Sequence, residues 1–466
     1  MSLACDVLVL GGGLAGHCAA LAAAAAGAEA LLLEKEETPG GSTAMSGGSF
    51  AFAGTVLQAA HGIEDDEAAL RDDLLRIGEC ANDPDLVDLF VTRQVATFEW
   101  LRGLGVVFDA PTLSSGQSRP RTHSTNPARL LATLAARLAE EPRIRLLPGV
   151  TAERLRREGG RVVGASVRRD GFPEEVEARR GVVLATGGFS RNARMIATFV
   201  PQLARAAPLG GPGNDGAGLR MAMALGADLA DMGHVKGTFG VAAADPPAGR
   251  PEPGGVLLMA LYRGAVIVNR GARRFTDESI SYKKIGDLCL RQAGALGFQV
   301  FDARIMAQTR PDVPVNDFRG GLERGFVHAG ATLAEVARAA GLDPATLEAT
   351  IARYNAGVRA GRDEEFGRDS LGDGYGRPVE IAEPPFYIFP CTTGVVATYA
   401  GLCVDARMRV RDVFGAPIAG LYAAGEIVGG LHGAGYMSGS SLTKSALFGR
   451  IAGQDAGCAH NREGEG

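Results

Sequence analysis

The chain has 466 residues, 46% of them hydrophobic, with 48 Lys and Arg against 53 Asp and Glu and a net charge of −5. At ~100–200 residues per domain, that length predicts two domains or three rather than one lobe. The weakly acidic balance provides no field for a phosphate backbone and speaks against nucleic acid as a partner.

In chain order, the first elements are a short buried strand over Val7–Leu10, the turn Gly11-x-Gly13-x-x-Gly16, an alanine-rich helix ending near Gly27, and a second strand over Leu31–Leu33 closed by Glu34. Together they form a complete βαβ unit. Gly11 makes the tight turn, Gly13 lets a pyrophosphate approach the backbone at the helix start, Gly16 lets helix and strand pack closely, and Glu34 sits where an acid accepts ribose hydroxyls. The first apolar run is thus committed to a dinucleotide motif rather than to a signal peptide. No run reaches the ~20 apolar residues of a membrane span, so a cytoplasmic chain is expected.

Further glycine-rich elements follow. "TPGGSTAMSGGS" (residues 38–49) comes just after the acidic strand, "GVVLATGGFSRN" (181–192) is a buried strand ending in Thr-Gly-Gly, and "GLYAAGEIVGG" (420–430) is another far downstream. Such elements spread over the whole chain predict one nucleotide domain interrupted by an insertion, and an extended flavin needs contacts of this kind along its length. A helix is predicted from just after Gly439 through Ala446 towards Gly453, with its positive end available to negative charge on a reduced flavin. The seven cysteines are scattered, with no C-x-x-C and no local histidine partner. They are read as small core residues, with neither disulfides nor a metal site expected.

The opening G-x-G-x-x-G, the "PGGST" turn, "LATGGFSRN", "GNDGAGLRMAMALGADL" and "GLYAAGEIVGGLHGAGYMSGSSLTKSALFGR" resemble, in order and spacing, the fumarate reductase and 3-ketosteroid dehydrogenase flavoprotein superfamily. The resemblance implies an α/β fold: a Rossmann-like FAD-binding domain (1–230 and 365–466) with an inserted α+β capping domain at 231–364, the sheet resuming near "PPFYIFPC". Carried over by motif, the FAD contacts fall on Gly11, Gly13, Gly16, Glu34, Lys35, Gly41, Ser42, Thr43, Gly48, Val150, Asp215, Glu426, Ser441 and Leu442. Ser42 stands where relatives with covalent flavin have a histidine, so non-covalent FAD is implied.

The same resemblance places the chemistry. The fumarate reductase branch grips two carboxylates with histidines and arginines, but here Lys236, Ala397, Tyr436 and Tyr282 stand at the four positions. Without arginine a dicarboxylate would be poorly paired. The 3-ketosteroid Δ1-dehydrogenase branch uses a tyrosine base and a tyrosine plus a backbone N–H on the ketone, which fall on Tyr282, Tyr436 and Ser440. The implied reaction is desaturation beside the carbonyl of a cyclic ketone, a 3-oxosteroid or a small oxocyclohexane such as 4-oxocyclohexanecarboxylate. Tyr282 takes the α-proton and the β-hydride passes to flavin N5.

Electrons would leave to an external acceptor: a quinone, a soluble carrier or oxygen. The loop with Arg119, Arg121 and His123 is a candidate for a polar group at the far end of the substrate, and Tyr399 and Tyr387 are candidates on the returning sheet. Two alternatives stand beside this reading. One is a fumarate reductase or tricarballylate dehydrogenase-like oxidoreductase of a carboxylic acid, with Lys236 or the Arg119 loop as clamp. The other is a flavin subunit that only transfers electrons.

Overall fold

The computed structural model describes residues 3–244, 253, 255–311, 313–372 and 374–459. The chain divides into two compact units, one of residues 1–200, 210–235 and 397–466, the other of 201–209 and 236–396.

The first unit is built on the predicted βαβ element. Strand β1 (Leu3–Leu10) is buried over its last six residues, helix α1 (Leu14–Ala25) follows, and β2 (Ala30–Leu33) is buried throughout. Apolar runs without alternation suit a parallel sheet covered on both faces. The sheet has eight strands among the described residues, with main order Arg409–Arg411, Pro417–Ala423, Phe172–Leu184, β1, β2, Ile144–Leu147. All neighbours on that path are parallel except the first pair. Strand Val150–Glu158 pairs only with Arg161–Arg169, which runs antiparallel on Phe172–Leu184.

Helix α1 is buried nearly all round because it lies against the long final helix α2 (Ser440–Cys458). Small residues permit this contact. A Cβ at Gly449 or Gly453 would overlap the carbonyl oxygen of Ala15 or Ala19, and one at Gly457 would lie 3.1 Å from that of Ala23. Spacing of four on both helices keeps these positions on one face of each, and their common direction makes the helices parallel.

The second unit centres on strand Phe386–Val395, buried beyond its first residue. It pairs antiparallel with Thr238–Ala242, Gly297–Phe301 and His328–Gly330, and parallel with Ala207–Pro208. Phe239, Phe301, Phe318 and Phe389 fill the core beneath it. This strand carries "FYIFPC", expected to resume the nucleotide sheet. Its hydrogen bonds instead go to the inserted strands, so the second unit runs past the expected limit at 364 to residue 396.

Cys5, Cys18, Cys289 and Cys391 are buried as expected of core residues, and burial pushes their thiols well up. Cys80 departs from that reading: it is exposed, in a turn where its φ is +56°. Among the described residues no helix is long and apolar enough to cross a membrane.

The helix contact sets a test. Gly453→Val forces the α1 and α2 backbones apart and is expected to cost about 1–3 kcal/mol, read as a lower urea midpoint. An unchanged midpoint would contradict the contact.

Candidate active site

The three motif glycines have separable physical roles. Gly11 has φ +109°, and a Cβ there would overlap the Ala185 carbonyl oxygen. A Cβ at Gly16 would overlap the Gly11 oxygen, so that glycine serves the fit of helix to turn. Gly13 differs, because a Cβ there would meet nothing closer than 3.8 Å. It is the N-cap of the 12-residue α1 and makes no side-chain capping bond. Packing does not demand glycine at Gly13, whereas close approach of a phosphate to the helix start does.

Glu34 completes the motif, with Oε2 accepting from Gly12 N at 2.6 Å and Oε1 from Glu36 N at 2.9 Å. Thr43 Oγ1 accepts from Leu14 N at 3.1 Å, tying the second glycine turn to the start of α1. Gly41 and Gly47 in that turn have no atom within 4 Å of a Cβ position, while a Cβ at Gly48 would overlap the Thr125 oxygen. Lys35 and Asp215 form an ion pair at 3.1 Å. Val150 and Leu442 are buried, and Val150 N donates to Glu34 O at 2.9 Å.

Glu426 gathers distant segments. Its Oε1 accepts from Thr398 N at 2.8 Å and Thr398 Oγ1 at 3.2 Å; its Oε2 accepts from Asn214 Nδ2 at 3.1 Å and Ser42 Oγ at 3.3 Å. Asn214 and Thr398 were missed by the sequence reading, although Asn214 precedes Asp215 in "GNDGAG". Lys444 was missed too: it is fully buried in α2 and donates to the Val428 carbonyl. Burial pulls its ammonium down to about 8, against the pull of Asp231 and Glu426. Thr186 Oγ1 and Ser190 Oγ, in the "ATGGFS" turn, are buried without a hydrogen-bond partner among the described residues. Open glycines and unspent hydroxyls fit a dinucleotide.

The loop from His432 to Gly439 lies flush on the Ile77–Asn82 segment. Ala434 N donates to Gly78 O at 3.0 Å and Asn82 Nδ2 to Leu431 O at 2.7 Å, while a Cβ at Gly433 would lie 2.7 Å from Gly78 O. On the other side of Tyr436, Ser438 N donates to Ser115 O at 3.0 Å and Gln117 Nε2 to Ser438 O at 2.9 Å. The glycines let the loop lie this close, and the bonds on both sides fix the phenol between them.

The Tyr436 ring stacks on Tyr399, centroids 4.5 Å apart and planes 8° from parallel, with His432 edge-on to Tyr399 at 4.9 Å. The Tyr436 oxygen is faced by the N–H groups of Gly439 and Ser441 at the start of α2 and by the Tyr399 hydroxyl. These stabilise a phenolate, but burial outweighs them and raises the phenol above its ordinary value. At neutral pH Tyr436 is therefore a protonated donor. Tyr399 has φ +55°, a left-handed conformation that costs an ordinary residue ~1–2 kcal/mol.

Ser440, assigned as the second carbonyl donor, is fully buried. Its N–H donates to Met437 O at 3.2 Å, and its Oγ donates to the same oxygen at 2.6 Å and lies 3.4 Å from His432 Nδ1. Its N–H is thus already engaged within the loop.

In the second unit, Tyr282 opens helix Tyr282–Leu290 behind the N-cap Ser281. Its N–H donates to Tyr262 Oη at 2.8 Å, and the two rings meet edge-on at 6.4 Å. Tyr262 had no role in the sequence reading. Lys283 Nζ lies 5.4 Å from the Tyr282 ring centroid and donates to Thr238 Oγ1 at 2.7 Å. The preceding segment is anchored by buried Arg274, which binds Glu278 at 2.7 Å and Asp363 at 2.8 Å. Lys236 pairs with Asp287 at 3.6 Å. Tyr387 stacks on Phe301 at 5.4 Å within the core, which corrects its candidacy.

The basic loop also needs correction. Arg121 is fully buried, with Nε and Nη2 2.7 Å from the two oxygens of Asp65 and Nη1 on Asp73. His123 is fully buried, bonding Thr55 Oγ1 at 2.8 Å and Arg121 O at 2.7 Å, and burial lowers its pKa. Arg119 is exposed and donates to its neighbour's carbonyl, Ser118 O, at 3.0 Å. Arg121 and His123 hold the loop together, and their polar atoms are spent inside it.

A family profile described as FAD binding domain matches residues 6–442. A probable fumarate reductase, Ifc3, from Shewanella frigidimarina (strain NCIMB 400) is 30% identical over 459 residues, 97% of this chain and 74% of that protein. The 4-oxocyclohex-2-ene-1-carboxylate 5-dehydrogenase of Sinomonas cyclohexanicum is 30% identical over 405 residues, 80% of this chain and 66% of that protein. The crystal structure of a 3-ketosteroid-Δ4-(5α)-dehydrogenase from Rhodococcus jostii RHA1, in complex with 4-androstene-3,17-dione, matches with TM-score 0.74 at 27% identity, covering 98% of this chain and 97% of that one.

Two alanine variants separate the glycine roles. Gly13→Ala is expected to keep the apoprotein's melting temperature and weaken FAD binding at least about tenfold, or 1.4 kcal/mol. Gly16→Ala should lower the melting temperature itself. Wild-type FAD affinity in Gly13→Ala, measured by flavin fluorescence titration, would contradict the assignment.

Proposed function

The chain belongs to the FAD binding domain family, and from that premise we propose that it is an FAD-dependent dehydrogenase that desaturates a cyclic ketone next to its carbonyl. The observation that carries this reading is Tyr436, a phenol kept protonated by burial, with helix N–H groups and a hydroxyl facing its oxygen. Kept protonated, the phenol has its own proton to offer to a ligand. Such a group suits the oxygen of a ketone whose α-carbon is losing a proton, where negative charge must be met by donors fixed in advance. One such donor is worth about 3–4 kcal/mol when removed.

Tyr282 is the proposed base for the α-proton, with Lys283 Nζ 5.4 Å from its ring centroid. Ser440 N–H joins Tyr436 on the carbonyl where the substrate oxygen displaces Met437 O. FAD supplies the two-electron acceptor for the β-hydride, held non-covalently, and the electrons pass to an external quinone, carrier or oxygen.

The substrate class is a 3-oxosteroid or a small oxocyclohexane. The name of the Sinomonas relative, a ring ketone that also bears a carboxylate, favours the small ring. The absence of arginine at Tyr436 and Tyr282 weighs against a dicarboxylate, whose two charges call for bidentate partners.

Tyr282→Phe tests the reading, with 4-oxocyclohexanecarboxylate and 3-oxosteroids as substrates and an artificial electron acceptor. Loss of the base is expected to lower desaturation by about 10²–10⁴-fold with FAD content unchanged. Wild-type ketone turnover in that variant would overturn the assignment.

A further inference from the structure

We propose that Tyr399 is a positioning residue for the Tyr436 phenol, holding its hydroxyl at the place where the substrate carbonyl binds. The inference rests on the reading of Tyr436 as the carbonyl donor and adds a residue to it.

Several observations converge on Tyr399. The first is its backbone: a bulky residue at φ +55° persists only where its surroundings over-determine it. The peptides on both sides supply that constraint. Thr398 is held by Glu426 through both N–H and Oγ1. Gly401 approaches so closely that a Cβ would overlap the Ile427 oxygen, and the short strand Gly401–Leu402 pairs with Leu229–Ala230.

The conformation places the Tyr399 ring face to face with Tyr436, 4.5 Å between centroids and 8° from parallel. The stacked face restrains the Tyr436 ring, and the Tyr399 hydroxyl acts on the Tyr436 oxygen in the direction that favours a phenolate. His432 closes the edge of the stack, 4.9 Å from Tyr399 and 5.5 Å from Tyr436. Thr398 also connects the stack to Ser42 and Asn214 through the Glu426 carboxylate, so the cofactor-binding residues and the phenol share one scaffold.

The hydroxyl has a defined electrostatic sign. Donated to the Tyr436 oxygen, it stabilises the phenolate and lowers the Tyr436 pKa, so its removal raises that pKa. Tyr436 acts while protonated, and the alkaline limb of the kcat profile should therefore move to higher pH. Among the described residues the other titratable neighbour in the stack is His432.

The test compares Tyr399→Phe, Tyr399→Gly, Tyr436→Phe and the double variant Tyr399→Phe/Tyr436→Phe, all FAD-loaded, in ketone desaturation. Tyr399→Phe keeps the stack and loses the hydroxyl. It should lower kcat by about tenfold, the effect of one hydrogen bond, with KM nearly unchanged and the alkaline limb moved up. Tyr399→Gly accepts the positive φ without strain, so the fold and FAD content persist while kcat falls further. The double variant should be no worse than Tyr436→Phe, as residues acting as one unit require.

Wild-type kcat and pH profile in Tyr399→Phe, or additive losses in the double variant, would overturn the positioning role alone. Wild-type turnover in Tyr436→Phe would overturn the carbonyl-donor reading beneath it.

Discussion

The contact between two parallel helices, made possible by Gly449 and Gly453 lying on the backbone of Ala15 and Ala19, is the constraint on which the first unit's site depends. It sets the start of α1, where Gly13 leaves room for a phosphate, relative to the start of α2, where Gly439 and Ser441 face Tyr436. Gly449 lies level with Ala15, nine residues into α2. Ala15 is one residue into α1, so at 1.5 Å per residue the start of α2 lies about 12 Å behind that of α1, against their shared N-to-C direction. Two helix starts, both positive ends, staggered along one line suit an extended ligand with phosphates at one and an electron-accepting ring at the other.

The charged residues sort in a way that bears on chemistry. Arg121 and Arg274 are buried, and each is bound by at least two carboxylates. Removing a partner from such a pair costs about 3–5 kcal/mol because a charge is stranded. These arginines hold loops in place. The groups that favour a Tyr436 phenolate include neutral ones: the backbone N–H groups of Gly439 and Ser441 and the Tyr399 hydroxyl. In a dry site, neutral donors fixed in advance stabilise developing charge on an oxygen without the desolvation cost of a buried cation.

Much of the nucleotide half was legible because its physics is local. The roles of Gly11, Gly13 and Gly16 follow from spacing, and the structure separates them into two packing glycines and one open one. The start of α2 after Gly439 was equally readable. Misreadings came where partners lie far apart in sequence. Arg121 and His123 look like an exposed basic loop until Asp65 and Asp73, 56 and 48 residues earlier than Arg121, are brought to the guanidinium. Asn214 and Thr398 have no local signal, since both matter through Glu426. The strand Phe386–Val395 was given to the wrong sheet because an apolar run does not name its pairing partner. Tyr399 was noticed as an aromatic near the site, but its left-handed backbone and its stack on Tyr436 are visible only in three dimensions.

The central claim is that the phenols mark a ketone. The most direct measurement is anaerobic: the FAD-loaded protein is mixed with 4-oxocyclohexanecarboxylate, with 3-oxosteroids and, separately, with succinate-type acids, and the flavin absorbance is followed. The account predicts bleaching by a cyclic ketone, with appearance of the conjugated enone, and no bleaching by the acids. Bleaching by succinate-type acids and by no ketone would contradict it.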